Sequence, residues 1–303
     1  MTGHSHTRGA ESSSADEQPT GRDGVGVWAE LRSRRAFWVA ATIVILMMLV
    51  ALVPGLFANW FGHGDPTACN LANSVLGPRA GHPFGFDVQG CDVYANVIYG
   101  TRDSIAVGLL ATGISFIVGV LLGSVSGYYG KLLDSIIARI SDVFFGFPFL
   151  LGAIVILSTF RLRNVFSVSL VLALFIWPTL TRLMRSAVLP IRDADYVLAA
   201  RSLGASDLRV IRRHVLPNAL APVVVIAMVT IGTVIAAEAA LTFLGIGLQA
   251  PSISWGLQLA NAQGGFQSYP HLIVAPGLFL SLTVFGFVLL GDAFQDALDP
   301  RSR

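Results

Sequence analysis

Apolar residues run along this chain in long uncharged stretches, and the lengths of those stretches predict its elements. A helix rises about 1.5 Å per residue and the hydrocarbon core of a bilayer is about 30 Å thick, so roughly 20 apolar residues make one crossing. Residues 36–57 are the first such run, and residues 104–130, which carry no charge, predict the second. The third begins near residue 135, tolerates Arg139 and Asp142 close to its start, and reaches about residue 160. The fourth covers residues 164–181, and the fifth starts after Pro217. Residues 239–291 are uncharged over a length too great for one helix. Gln, Asn, Ser, Gly and Pro gather between Gly247 and His271, so this stretch holds the end of span five, a turn, and a sixth span over residues 272–290. The expected fold class is an all-α integral membrane protein with six transmembrane helices and no internal repeat.

The polar segments complete the division. Residues 1–27 have almost no large apolar side chain and cannot bury enough surface to offset the entropy of ordering, which predicts a disordered tail; His4 and His6 within it read as solvated. Residues 28–60 form the first transmembrane helix, 61–103 an outer loop, and 104–303 a five-helix core with a long loop at 191–218. The first apolar run continues without charge to Gly64, longer than the core of a secretory signal, so it reads as an uncleaved helix.

Composition agrees. The 303 residues are 54% hydrophobic and only 13% charged, about half the roughly 25% of a soluble domain, and mean hydropathy is +0.68. A net charge of +2 gives no reason to expect nucleic acid. With the N-terminus in the cytoplasm, the inner segments hold Arg8, Arg22, Arg32, Arg34, Arg35, Lys131, the basic residues of 182–214, Arg301 and Arg303; the outer ones hold only Arg79, Arg102, Arg161 and Arg163. That bias predicts both termini inside and the 191–218 loop facing the cytoplasm.

That loop has internal structure of its own. Asp195 is placed to cap a short helix in which Tyr196, Ala199, Ala200 and Leu203 share a face, and Gly204 supplies a left-handed stop. Ser206 is placed to cap a second helix with Leu208, Ile211 and Val215 on one side, Arg212 and Arg213 near its C-terminal end, and Pro217 ending it. Two bent surface helices fit either an amphipathic element resting on lipid or a docking element for a cytoplasmic partner.

The order Ala199-Ala200, Gly204, then His214-Val215-Leu216-Pro217 resembles the signature loop of binding-protein-dependent ABC importer permeases. The resemblance extends over about residues 82–301: His82-Pro-Phe-Gly-Phe-Asp87 with Gly90 and Asp92, Tyr99-Gly-Thr-Arg102, Gly127-Tyr-Tyr-Gly130, Phe243-Leu-Gly-Ile-Gly247, Pro251-Ser-Ile-Ser-Trp255-Gly256, and Gly291-Asp-Ala-Phe-Gln-Asp-Ala-Leu-Asp-Pro-Arg301. It points to the C-type permease subunit of the dipeptide and oligopeptide importers. Two positions depart from the family pattern, Leu198 where an acidic residue is usual and Cys91 where arginine is typical. The resemblance implies a type I importer permease fold in the bacterial cytoplasmic membrane, a homologous second permease, two ATPase domains carrying ATP and magnesium, and an extracellular solute-binding protein. It assigns ATPase coupling to Tyr196, Ala199, Ala200, Arg201, Leu203, Gly204, Leu216 and Pro217. Independently, a phosphate-binding loop needs lysine followed by Ser or Thr; the sole lysine, Lys131, precedes Leu132, so ATP hydrolysis is expected on other chains.

Several other residues carry open readings. Cys69 and Cys91 both fall in the outer loop, where a disulfide is favoured by an oxidising side; unpaired thiols are the alternative. Glu238 is the lone acid of span five, with Thr242 one turn on. Intramembrane acids face a wet path or a bundle interior, so the pair either lines a translocation path or makes a structural hydrogen bond. Arg139 and Asp142 read as a local ion pair or a snorkelling arginine, and Arg182 and Arg185 as topology anchors. Residues 251–268 form either a short re-entrant segment, with Trp255 at the membrane interface, or a polar connector. His63, His82 and His271 lack metal-ligand spacing, and no catalytic motif is present.

The functional expectation is therefore a permease subunit moving peptides on ATP hydrolysed elsewhere. The rivals are an ion-gradient transporter with Glu238 as its proton site, and a non-transporting membrane scaffold.

Overall fold

The computed structural model describes residues 31–62 and 64–298. The expected disordered tail, His4, His6, His63, Arg301 and Arg303 lie outside them. Among the described residues the chain is helical, with two isolated bridges and no strand. Its helices are α1 (Arg35–Leu52), α2 (Pro54–Ala58), α3 (Val93–Tyr129), α4 (Lys131–Gly146), α5 (Phe149–Ser158), α6 (Val165–Arg192), α7 (Asp195–Ser202), α8 (Asp207–Val210), α9 (Leu216–Phe243), α10 (Trp255–Asn261) and α11 (His271–Leu298). A π-helical segment, Ile211–Val215, joins α8 to α9. Five helical stretches are long and apolar enough to cross a membrane, and six if the bent pair α4–α5 counts as one span.

The boundaries differ from the expected ones for identifiable reasons. The first span stops at Leu52, and Pro54 opens the separate α2. The second begins at Val93, inside the expected loop, because the Asp92 carboxylate caps it by accepting from the Tyr94 N–H at 2.8 Å. At 37 residues α3 is about 55 Å long and outreaches a bilayer core. The third is not one helix: it turns by 86° between α4 and α5, where Pro148 denies Phe147 the helical conformation and leaves it extended. The fourth continues to Arg192 through Pro178 and Pro190. Pro217 does not end the second loop helix; it sits in the first turn of α9, where its missing N–H is tolerated.

Close approach of small residues sets the packing around α3. An added Cβ at Gly119, Gly123 or Gly127 would come within 2.6–2.8 Å of Leu180, Met184 or Val188 of α6, so a glycine stripe lets the two backbones meet, as small residues do in membrane helix pairs. Gly291 of α11 meets Val229 of α9 the same way, and Gly286 meets Ile43 of α1. One apolar cluster, around Val97, Ile105, Ile235, Trp255 and Phe287, lies towards the N-terminal end of α3. Another, around Tyr128, Met184, Val188, Val197, Val210 and Val215, lies at its C-terminal end and includes the 191–218 loop.

Candidate functional site

The two short helices α7 and α8 form an elbow packed on the C-terminal end of α3. The first helix does not use the expected cap: Ala194 is the cap residue, Asp195 is already helical, and no side chain caps it. Ser206 holds the cap position of α8, likewise without a side-chain bond. The stop at Gly204 is as expected, with φ +82°. Gly204 N–H bonds the Arg201 carbonyl at 2.9 Å and Ala205 N–H bonds the Ala200 carbonyl at 3.1 Å, the paired bonds of a Schellman end.

Burial sorts the elbow's faces. Val197, Val210 and Val215 are buried against α3 and α6. Tyr196, Ala199 and Leu203 point away from the protein, with Leu203 88% exposed; Ala200, Arg201 and Leu216 are half-buried and Pro217 is exposed. The expected Leu208–Ile211–Val215 face is corrected: Leu208 is 64% exposed and Val215 buried, because the wider π turn changes the phase between them. The elbow thus exposes the apolar side chains of Tyr196, Leu198, Leu203 and Leu208.

Sequence reasoning missed what anchors the elbow. The Tyr128 hydroxyl donates to Asp207 Oδ1 at 2.8 Å and accepts from Arg201 Nε at 3.2 Å, while the Arg201 guanidinium lies 4.7 Å from the centre of the Tyr128 ring. Arg192 Nη1 donates to the Gly127 carbonyl at 3.1 Å, and its bond to Asp193 holds that carboxyl below the usual carboxylate range. The only sequence signal was the Gly127-Tyr-Tyr-Gly130 string, which carried no assigned role.

The charges beside the elbow also pair differently. Arg182 Nη2 donates to Asp142 Oδ1 at 2.6 Å and its guanidinium lies 4.0 Å from the Phe145 ring centre. Arg139 is only 4.0 Å from Asp142 and largely exposed. Arg185 binds Asp134. The expected local pair is present at its long limit, and cross-helix pairs are added to it: Arg182 and Arg185 tie α6 to α4.

At the other end of the molecule, Glu238 and Thr242 are both enclosed. Glu238 Oε1 accepts from Thr242 Oγ1 at 2.7 Å and from Ser254 Oγ at 3.4 Å, which fastens the start of α10 to α9. Neither side chain reaches a surface of this chain in this conformation; the structural hydrogen bond is formed. The interfacial placement of Trp255 is corrected. It is fully buried, with Nε1 donating to the Val97 carbonyl at 3.1 Å, so residues 251–268 contain a short helix docked on the bundle. Cys69 and Cys91 form a disulfide beside the buried His82–Asp92 pair. The disulfide walls a cavity of about 500 Å³ that also meets Asp87, Asn96, Pro251 and Gln258. Burial raises the Asp87 carboxyl above its ordinary range against three backbone N–H bonds that lower it. Among the described residues no cluster of three His, Cys, Asp or Glu could hold a metal.

Residues 119–303, which include the elbow and its Tyr128 anchor, match the family described as binding-protein-dependent transport system inner membrane component. The chain belongs to this family. Similar proteins include the dipeptide transport system permease protein of Alkalihalophilus pseudofirmus, 36% identical over 92% of this chain and 91% of that protein. The oligopeptide transport system permease protein of Bacillus subtilis is 32% identical over 97% and 96%. The glutathione transport system permease protein of Escherichia coli is 38% identical over 90% and 89%. Among solved structures, the inward-facing MetNI methionine ABC transporter is similar at TM-score 0.54 and 18% identity, covering 67% of this chain and 97% of that one. An amino acid ABC transporter solved with histidines is similar at TM-score 0.51 and 16% identity, over 67% and 94%. The fold is that of a type I ABC importer permease, a multi-pass all-helical membrane protein, and this family member is a transport subunit.

Proposed function

We propose that this chain is one permease subunit of an ATP-binding-cassette importer that carries peptides from a solute-binding protein across the bacterial cytoplasmic membrane. The observation that carries the reading is the elbow: a bent pair of helices with exposed apolar side chains, anchored to the 37-residue α3. Relatives named for dipeptides, oligopeptides and glutathione support the peptide class.

In this reading the elbow faces the cytoplasm, as do both termini, and docks on one of two partner ATPase domains, which bind ATP with magnesium. A homologous second permease completes the pathway, and the loop around Cys69 and Cys91 with α10 receives the binding protein. Closure of the ATPase pair moves Tyr196, Ala199, Leu203 and Leu208 as a unit. The buried side of the elbow passes that motion to α3 and α6, and the glycine-packed pair moves as a rigid body because interdigitated helices do not deform continuously. The ion-gradient alternative needs a solvent-reached acid in the membrane, and Glu238 is enclosed.

The test is reconstitution. The chain with its co-purified partners in lipid vesicles should take up a labelled dipeptide only with ATP and binding protein, and an ionophore should not abolish it. Uptake by the isolated chain on an ion gradient refutes the proposal.

A further inference from the structure

The elbow must be stiff to transmit force, yet its first arm is not stiff alone. That helix has eight residues, short of the length at which an isolated helix holds, whereas the second arm is the first turn of a helical stretch that runs on through the π segment to Phe243. The two arms meet at Gly204, where an added side chain would touch nothing within 4 Å; the buried side of the hinge, Val197, Ala205 and Val210, rests on one apolar cluster, and the polar side is held by hydrogen bonds. Arg201 precedes the hinge and Asp207 follows it. Among the described residues their one shared partner through hydrogen bonds is the Tyr128 hydroxyl, which accepts from Arg201 and donates its single hydrogen to Asp207. Tyr128 is buried in the last turn of α3, one residue after the carbonyl held by Arg192.

We propose that Tyr128 is a positioning residue for energy coupling: its hydroxyl clasps both arms of the Gly204 hinge and joins them to α3. Motion imposed on the elbow then enters the long helix through this side chain. The inference rests on the functional reading above and adds to it a residue outside the signature loop. With the clasp intact, the hinge angle is held and a displacement of the exposed side chains displaces α3. With the hydroxyl gone, Arg201 and Asp207 lose their common partner, the two arms rotate about Gly204 independently, and part of each ATPase stroke is lost as elbow bending.

The experiment counts ATP hydrolysed per labelled dipeptide delivered by the assembled complex in vesicles. Tyr128→Phe keeps the ring under Arg201 and removes only the hydroxyl. It should assemble in normal yield and raise the ATP-to-peptide ratio about threefold or more, as loss of a hydrogen bond to a charged partner allows. Asp207→Ala should match it, Asp207→Asn, which keeps an acceptor oxygen, should lie close to the wild-type ratio, and the double variant Tyr128→Phe/Asp207→Ala should be no worse than either single. A spin label at residue 203 should become more mobile in Tyr128→Phe. A wild-type ratio in Tyr128→Phe, or effects of the two singles that simply multiply, overturns the clasp while leaving the transport function standing. A wild-type complex that moves no peptide on ATP overturns both.

Discussion

Arg185 grips Asp134 with two guanidinium nitrogens, Nε 2.5 Å from one carboxylate oxygen and Nη2 2.7 Å from the other. Ser126 of α3 donates to the same carboxylate at 2.5 Å, so one acid joins α3, α4 and α6. A fork of this kind depends on the planar guanidinium. Arg185→Lys should therefore lower stability nearly as much as Arg185→Ala. Because both side chains are partly exposed, the loss should be about 1 kcal/mol, read as a drop in the thermal unfolding midpoint in detergent. An Arg185→Lys protein as stable as wild type counts against the bidentate pair.

Gly204 holds φ +82° with open space around it. Its replacement is therefore a matter of backbone strain and not of clash. Gly204→Val should cost about 1–2 kcal/mol locally and Gly204→Asn less, since asparagine tolerates the left-handed region. The readout is peptide uptake against ATP hydrolysis, with valine uncoupling the two more than asparagine. Equal behaviour of the two variants rejects strain as the cause.

The α3–α6 contact should be intolerant of single methyl groups. Gly123→Ala places a Cβ 2.6 Å from the Thr181 carbonyl oxygen and should destabilise by about 1–3 kcal/mol. Gly113→Ala, on the same helix with nothing within 4 Å, should be neutral or slightly stabilising. Thermal unfolding of the two variants side by side checks the contrast.

Enclosure of Glu238 predicts a structural phenotype. Glu238→Gln keeps an acceptor for Thr242 and Ser254 and should retain uptake. Glu238→Ala strips both hydroxyls of their partner and should cost about 2–3 kcal/mol. Loss of peptide affinity in a well-folded Glu238→Gln complex would place the residue on the translocation path.

The Cys69–Cys91 link closes a loop with a sequence separation of 22, worth about 3 kcal/mol in the chain-entropy account. Maleimide should label neither cysteine before reduction and both after it, and reductant should lower the unfolding midpoint. Labelling of the untreated protein argues for free thiols.

The apolar runs marked where helices lie, and the Gly204 stop was legible because its αL geometry is a local requirement of one residue. The first turns of α3 were not: Val93, Val97 and Ile98 read as outer loop because Arg102 and Asp103 interrupt the run, and only their burial under the loop and α10 makes them helix. Trp255 looked interfacial by residue type, but its indole N–H finds a carbonyl 158 residues away in sequence. The same holds for Arg182 and Asp142, 40 residues apart, and for Tyr128 and Asp207, 79 apart.

Amino-acid order alone established a membrane solvent and where most of the apolar helices lie, because lipid imposes its constraint on each segment separately, whatever that segment later touches. It also carried the signature of the elbow, whose bend is a property of consecutive residues. Tertiary structure decided which acid each arginine binds, that Glu238 is enclosed, that the third span is broken, and that Tyr128 holds the hinge. Those outcomes depend on distances between residues brought together from remote parts of the chain, and such distances exist only once α3, α6 and α9 have packed.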